Sequence, residues 1–584
     1  MCGIFAYIGK KDDTGRKIIN GLRSLEYRGY DSWGVAIKQN NENLYVEKHV
    51  GKIGDNNVPE REALLGIGHT RWATHGRVTV KNAHPHVSKN DSLAIVHNGI
   101  IENFQDIKRK LLKKGYKFTT ETDTETLVHL LTEILKKEKN KIKAVQKMFE
   151  ATSGLNAIIV MFARSEEFIA VKNGSPLVFG KNEEGFFLAS DAVALAPHTK
   201  NVFFLEDNSL LYFNKNDYRL IEKGKDKKAK FITLPYSIES TKKGKNPHFM
   251  IKEIKEQPSI LTQITKTQKG NIQNAADLVK NAYGTYLLGC GTAYYATLAA
   301  TYLFSKIAKR HINAQIGSEF TYVEDFIKDT SLVIPLSQSG ETIDIISSVQ
   351  KAKSRGAKIL AITNVLGSSL YRQADHRLLL NAGPEKCVLA TKSFTSKIAL
   401  LTLIAHSLSG TYKKGEKDII KAAAQIESLI ENKKIKNIAS KLKNKEHIFI
   451  LGRGASYPTA LESALKIKEV SYIHAEGFAG GELKHGVIAL IEKGTPVILY
   501  NPEDETYQDS LSSAHEVKAR GAYVIGISDK ENEVYDEFIR VENCNEATII
   551  PNVVVAQLIG YYLALEKGLD PDKPRNLAKS VTVK

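Results

Sequence analysis

The sequence predicts an α+β unit in its first third, followed by a duplicated α/β unit built on parallel sheets. Three observations carry this reading. Up to about residue 215, short β-rich segments recur with only two helical stretches between them. From His248 onward strands and helices alternate, the pattern of parallel strands joined by crossover helices. Within that second part, three strand-and-turn segments return in order at nearly constant spacing.

In the first part, strands are expected at residues 4–8, 34–37, 93–97, 157–162, 168–172, 185–189 and 202–205, and helices near 14–25 and 124–137. Residues 216–246 are polar and rich in Lys and Gly, which reads as a linker with one strand at 229–234. In the second part, Tyr286-Leu-Leu-Gly-Cys-Gly-Thr-Ala-Tyr294 returns as Phe449-Ile-Leu-Gly-Arg-Gly-Ala-Ser-Tyr457. The offsets are 163 residues from Gly289 to Gly452, 164 from Ser337 to Asn501, and 165 from Thr363 to Ser528. The expected domains are therefore 2–215, a linker 216–247, repeats 248–420 and 421–573, and a tail 574–584. Each repeat places a Gly-rich turn between strand and helix, as in nucleotide-binding folds.

The repeats differ where chemistry would sit. The first has Ser337-Gln338-Ser339-Gly340-Glu341-Thr342 after its second strand. Hydroxyls, a glycine and a following helix N-terminus suit a phosphate monoester; an ordinary Ser-rich turn has the same composition. The second repeat has Asn501-Pro502-Glu503-Asp504-Glu505-Thr506, whose carboxylates would repel phosphate. One phosphate site is expected.

Composition excludes several classes. The 584 residues carry a net charge of +17, mostly lysine in runs without interleaved aromatics, which reads as a solvated surface and not a nucleic-acid face. Four cysteines, Cys2, Cys290, Cys387 and Cys544, show no CxxC spacing, which argues against a zinc site or a disulfide framework and for a reducing, cytoplasmic compartment. No signal peptide is read in residues 1–30. The most apolar stretch, 549–565, is broken by Pro551, Asn552 and Gln557 and is expected to be a buried helix, not a membrane span.

The chain opens Met1-Cys2-Gly3-Ile4-Phe5. Trimming Met1 would give Cys2 a free α-amine, which titrates near ~7.7–8.0 and can serve as base for its own thiol. A small residue at position 2 is also commonplace. His69-Thr70-Arg71-Trp72-Ala73-Thr74-His75-Gly76 is too polar for a core strand and too aromatic for a plain loop. In His97-Asn98-Gly99, an Asn amide beside a Gly N–H can form an oxyanion hole. Asp123, in Thr122-Asp123-Thr124-Glu125, also reads as a helix N-cap. Arg71 could be a surface cation. His84-Pro85-His86 lacks a third ligand nearby and reads as structural.

Cys2-Gly3-Ile4-Phe5, Glu26-Tyr-Arg-Gly-Tyr-Asp-Ser32, Arg71-Trp-Ala-Thr-His-Gly76, Asn82-Ala-His-Pro-His86, His97-Asn-Gly99 and Thr122-Asp123 resemble class II glutamine amidotransferases. The second half is similar to the sugar isomerase (SIS) family. The order of the two parts, with the C-terminal Pro574-Arg-Asn-Leu-Ala-Lys-Ser-Val-Thr-Val583, resembles the isomerizing aminotransferases that act on glutamine and fructose 6-phosphate. The resemblance implies an N-terminal-nucleophile (αββα) glutaminase domain followed by two SIS domains, and an entry step of amino-sugar (UDP-GlcNAc) synthesis.

By that resemblance, Cys2 attacks the glutamine amide and forms a thioester, while Asn98 and Gly99 hold the oxyanion. Arg71 binds the α-carboxylate and Asp123 the α-ammonium. Trp72, Thr74 and His75 lie in the loop that closes over glutamine, with Trp72 also placed to gate ammonia. Ser337, Gln338, Ser339 and Thr342 cradle the sugar phosphate, with Thr292 and Val388 against the sugar. Glu469 moves the proton between C1 and C2, and Lys466 steadies the enediolate. Three apart on a predicted helix, these two share a face; alone, such a pair is the ordinary pattern of a surface ion pair. His485 opens the sugar ring from a neighbouring subunit, so a homodimer is implied. Lys579 forms a Schiff base with the ketone. No metal, nucleotide or organic cofactor is implied. Two positions depart from the family, Ala293 and Ala390, where Ser is usual. These losses leave room for an alternative, a glutamine-dependent transferase or deglycase on another keto-sugar phosphate.

Overall fold

The computed structural model describes residues 2–10, 13–38, 44–54, 63–234 and 239–582. The chain divides into two compact units: residues 1–242 with 367–369 and 578–584, and residues 243–366 with 370–577.

The first unit is built on two antiparallel sheets. The eight-stranded sheet runs, edge to edge, Ile232–Thr233, Asn201–Phe204, Val178–Asn182, Gly185–Ala189, Gly3–Gly9, Leu65–Arg71, Ser32–Lys38, Leu44–Val50. The seven-stranded sheet runs Lys225–Lys227, Tyr218–Glu222, Ser209–Asn214, Glu167–Asn173, Asn156–Phe162, Leu93–Gly99, His86–Val87. Side-chain alternation along the central strands builds the layers. Phe5 and Tyr7 point to one face and pack with Ile18 and Leu22 of the helix Thr14–Leu25. Ile4, Ala6 and Ile8 point to the other and meet Ala94, Val96, Ala157 and Ile159 of the second sheet. Ile95, Ile158 and Val160, on that sheet's far face, pack with Ile107, Leu127, Val145 and Met148. The layers are helix, sheet, sheet, helix.

Several elements differ from expectation. Helices Phe104–Lys113 and Lys141–Glu150 add to the two expected. His69, Thr70 and Arg71, too polar on their own to suggest a core strand, are the buried last residues of the strand Leu65–Arg71. The expected linker carries the hairpin Tyr218–Glu222 and Lys225–Lys227 at the edge of the second sheet. Its one buried position, Leu220, is enough to seat an edge strand, and lysines suit an edge. The strand expected at 229–234 is the short Ile232–Thr233.

The second unit contains two five-stranded parallel sheets. The strand Gly284–Gly289 lies between Asn313–Ile316 and Ser331–Ser337, followed by Lys358–Thr363 and His376–Leu379. In the second sheet, His447–Gly452 lies between His474–Ala479 and Pro496–Tyr500, followed by Tyr523–Ser528 and Glu537–Arg540. The order 2-1-3-4-5 is thus repeated, as the sequence repeat predicts. Each sheet has its topological switch point between its first and third strands, where ligands of open α/β sheets bind. One helix, 545–566, is long and apolar enough by composition to cross a membrane, and 89% of its window is buried in this unit.

Candidate active sites

In the first unit, antiparallel pairing of Gly3 with Thr70 sets Cys2 beside the end of the strand Leu65–Arg71. The Trp72 N–H donates to Cys2 Sγ at 3.4 Å, and the thiol faces Trp72 O at 3.5 Å. Burial pushes the Cys2 thiol up, against the opposing pull of the Trp72 N–H and the Arg71 guanidinium. At rest the sulfur is a thiol, so a base must generate the nucleophile. The turn after Arg71 is held by Asp31, whose carboxylate accepts from the Ala73 N–H at 2.8 Å. Gly29 makes room for it, because a Cβ there would sit 2.7 Å from Arg71 C and Trp72 N.

Asn98 ends the neighbouring sheet's strand Leu93–Gly99. Its Nδ2 donates to Cys2 O at 3.0 Å, and its Oδ1 meets His69 Nε2 at 3.1 Å. His69 therefore fixes which way the amide points. Burial drives the His69 pKa down to about 3, so the ring is neutral and donates. Gly99 has φ +128°, and a Cβ would lie 2.1 Å from Leu155 O, so its glycine is required by backbone geometry whatever its chemistry.

Arg71 is not a surface cation; it is 3% exposed. Its guanidinium donates to Arg77 O at 3.2 Å, to Gly76 O at 3.0 Å and to His75 O. It thereby shapes the loop that carries Trp72, Thr74 and His75. Asp123 is not the helix N-cap; Thr124 holds that position. Asp123 Oδ2 instead accepts from the Ile101 N–H at 2.8 Å and stands 4.0 Å from His97 Nδ1. His84 stacks on His69 at 4.2 Å, and His86 Nε2 meets Thr122 Oγ1 at 3.0 Å, within the packing of the unit.

In the second unit, the Gly-rich turn after Gly284–Gly289 and the Ser337–Thr342 turn flank the first switch point. Ser337 Oγ and Thr342 Oγ1 are 3.0 Å apart, and Ser337 Oγ accepts from the Gly340 N–H at 3.0 Å. Ser339 Oγ accepts from the Glu341 N–H at 3.1 Å, and Gln338 O accepts from Asn364 N–H at 3.1 Å. The helix Ile343–Ser354 starts directly behind, aiming its positive end at the turn. Val388 is buried in the loop before Lys392–Leu408; its N–H donates to Asp572 O at 3.1 Å. Ala293 is buried at 8% exposure in the core beneath the Gly-rich turn.

Thr292 opens the helix Thr292–Ala308 and touches a buried charge cluster on Ser456–Ser471. Lys466 Nζ donates to Thr292 Oγ1 at 3.1 Å and pairs with Glu469 at 2.7 Å and Glu462 at 3.5 Å. The surface-pair reading fails here: the Lys466 and Glu462 side chains are 0% exposed, Glu469 20%. Burial alone would pull Lys466 down, but Glu462 and Glu469 hold it above its ordinary value. Burial raises Glu462 to about 7. Glu462, four residues before Lys466 on the same helix, is the one member of the cluster that helical spacing alone could have supplied. Asp31 and His69 stand in motifs the sequence displays, but their roles are not legible there, since both act on partners distant in the chain.

The structure thus brings Thr292, Lys466 and Glu469 together. His485 ends the turn Gly480–His485 and is exposed. Lys579 lies in the segment that packs with the first unit. At the second repeat's switch point a cavity of about 350 Å³ is lined by Gly454, Ser456, Glu503 and Glu505. Two of its acids are paired, Glu505 with Lys306 at 2.7 Å and Glu503 with Lys530; Asp504 and Glu546 also line it.

The SIS domain family model matches residues 278–407 and 441–567, and a glutamine amidotransferase domain model matches 69–197. The glutamine–fructose-6-phosphate aminotransferase (isomerizing) of Thermococcus kodakarensis is 42% identical over the full length of both chains. That of Clostridium tetani is 39% identical, also over both full lengths. Among solved structures, the C-terminal domain of glucosamine-fructose-6-phosphate aminotransferase from Francisella tularensis superposes with a TM-score of 0.54 at 33% identity. It covers 57% of this chain and 100% of its own. Tagatose-6-phosphate ketose/aldose isomerase from Escherichia coli, at 18% identity and TM-score 0.50, shares the fold.

Proposed function

The chain belongs to the isomerizing glutamine–fructose-6-phosphate aminotransferases, and on that premise we propose how its own residues divide the reaction. Overall, L-glutamine and fructose 6-phosphate give L-glutamate and glucosamine 6-phosphate. The observation that carries the residue assignment is the buried Lys466–Glu469–Glu462 cluster against Thr292 at a switch point whose other wall is the Ser337–Thr342 turn.

Once Met1 is removed, the Cys2 α-amine takes the thiol proton, and the thiolate attacks the glutamine carboxamide. Asn98 Nδ2 and the Gly99 N–H donate to the developing oxyanion. Asn98 is already held at Cys2 by its 3.0 Å bond to Cys2 O. Arg71 takes the substrate carboxylate with the part of its fork not spent on the 75–77 carbonyls, and Asp123 takes the ammonium. Trp72, Thr74 and His75 cover the bound amino acid. The Cys2 α-ammonium then returns its proton to the amide nitrogen, and the C–N bond breaks to leave the thioester and free ammonia. Water cleaves the thioester to release glutamate and the thiol; the ammonia is passed on without meeting bulk water, where it would be protonated.

At the sugar site, Ser337, Gln338, Ser339 and Thr342 turn their donors to the phosphate, aided by the helix N-terminus. His485, supplied by the second subunit of a homodimer, opens the ring; its exposure on a single chain supports this. Lys579 forms the ketimine at C2, and ammonia displaces it. Glu469 carries the proton between C1 and C2, while Lys466 balances the charge on the enediolate oxygen. No nucleic acid, membrane or cofactor enters the scheme.

The test is mass spectrometry of products from amide-15N glutamine and a panel of ketose and aldose phosphates. Labelled glucosamine 6-phosphate formed with fructose 6-phosphate is expected. Labelled ammonium without labelled amino sugar would refute the acceptor assignment.

A further inference from the structure

Two buried side chains and one half-buried one, outside both active sites, converge on one point, each with one buried polar atom unpartnered. His406 lies near the end of the helix Lys392–Leu408, Asp418 on the helix Tyr412–Ile430, and Glu546 just before the helix Ile549–Glu566. A ring nitrogen of His406 and one carboxylate oxygen from each acid lie within 4.8 Å of one another. His406 is 1% exposed and Asp418 6%. His406 Nε2, Asp418 Oδ2 and Glu546 Oε2 are all buried without a hydrogen-bond partner. A buried polar atom with no partner costs roughly 1–3 kcal/mol, and three at one spot point to a missing ligand.

The opposite ends of the same groups are held. His406 Nδ1 is 2.7 Å from Thr411 Oγ1. With Nδ1–H donating there, Nε2 presents its lone pair inward, the arrangement of a metal-binding imidazole and its outer-shell acceptor. Asp418 Oδ1 accepts from Asn545 Nδ2 at 2.9 Å, which leaves Oδ2 aimed inward. Gly415 lies in the first turn of the helix Tyr412–Ile430. A Cβ there would lie 2.4 Å from His406 Cδ2, so the glycine is the space in which the ring lies. Lys414 and Lys306 stand 4.0 Å from the two Glu546 oxygens, beyond hydrogen-bonding range, and Lys306 is committed to Glu505 at 2.7 Å.

We propose that His406, Asp418 and Glu546 form a binding site for a divalent transition-metal cation of the Zn2+ type, which clasps these three helical segments of the second unit. One imidazole and two carboxylates suit Zn2+ better than Ca2+ or Mg2+, which prefer all-oxygen shells. Tetrahedral Zn2+ with bonds of about 2.0–2.2 Å separates its ligands by roughly 3.3 Å; Glu546, the most accessible of the three, has the torsions to close in. Glu546 and Asn545 also line the 350 Å³ cavity, which supplies an entry path and room for a water as fourth ligand. No cysteine takes part, so the scattered cysteines say nothing against the site. The role is structural: the residues belong to neither reaction site.

The experiment uses the full chain without a histidine tag, carrying Cys2→Ser so that the nucleophilic thiol cannot bind the ion. Titration with Zn2+ alone, followed calorimetrically, is expected to show one tight equivalent per chain. Thermal unfolding should move to higher temperature with Zn2+ and return with chelator. Anomalous diffraction at the zinc edge should place the ion among His406, Asp418 and Glu546. Glu546→Gln, at the least buried position, should weaken binding at least tenfold while leaving the metal-free melting temperature near that of the parent, and His406→Gln should remove the equivalent. Absence of a bound equivalent, an anomalous peak elsewhere, or unchanged affinity in Glu546→Gln would each overturn the proposal.

Discussion

Cys2 and Glu469 are the two residues on which the proposed chemistry turns, and each can be removed without touching the other's unit. Cys2→Ala should abolish release of glutamate from glutamine while interconversion of fructose 6-phosphate and glucose 6-phosphate, followed by a coupled assay, persists. Glu469→Gln should do the reverse, cutting sugar turnover by about 10²–10⁴ as expected for loss of a positioned acid–base group, with glutamine hydrolysis kept within a few-fold. Loss of both activities in either variant would contradict the division. At this scale the sequence was informative for side chains in local motifs, such as Asn98 beside Gly99. It was silent on His69, whose ring at 3.1 Å orients the Asn98 amide from 29 positions away.

Among elements, the strand-to-helix turn Ser337–Thr342 is the proposed phosphate cradle. A hydrogen bond to a charged group contributes about 1.5–3 kcal/mol, so Ser337→Ala should raise KM for fructose 6-phosphate by roughly ten- to a hundredfold, with kcat less affected. Initial-rate kinetics would show it, and an unchanged KM would take Ser337 out of the cradle. The turn Asn98–Gly99 makes a different prediction. Gly99→Ala forces a Cβ to 2.1 Å from Leu155 O at a φ of +128°. It should lower the melting temperature of the glutaminase unit as well as its activity; a folded, equally stable variant would show that the backbone can relax. The helix Ile549–Glu566 was readable from its length and its nearly unbroken apolar run, which suits an element buried on almost every side. The strand end His69–Arg71 was not, because what lets it be buried lies beyond the strand itself: His69 Nε2 meets Asn98 Oδ1 on the other sheet, and Arg71 spends its guanidinium on the His75, Gly76 and Arg77 carbonyls of the following loop.

For the whole molecule, the first unit buries a group of histidines in the neutral state. His69 is held near pKa 3, and His84 and His86 well below the ordinary value, all chiefly by burial. Unfolding releases rings that take up protons below about pH 6.5, so the unfolded state binds more protons in that window and stability falls as pH drops from about 6.5 toward 3. Both tryptophans, Trp33 and Trp72, lie in this unit, so tryptophan fluorescence reports its unfolding alone. The urea midpoint should hold above pH 7 and decline below 6.5, with a shallower decline in His86→Gln. A flat profile would mean that these rings are protonated or solvated when folded.

By itself the sequence determined the duplication, the alternation of strand and helix in the second half, and the places of the motifs that carry the proposed nucleophile and the proposed phosphate turn. These are written in local order: periodicities of two and 3.6, glycines at forced turns, and recurrence at fixed offsets. Tertiary structure decided what lies far apart in the chain. It set the neutral His69 behind Asn98, turned the Lys466–Glu469 pair from a surface pattern into a buried cluster with Glu462, and gathered His406, Asp418 and Glu546 at one point. The physical reason is burial. Whether a charged or polar group is exposed, paired or orphaned depends on which distant elements exclude water around it, and that follows only from the packed fold.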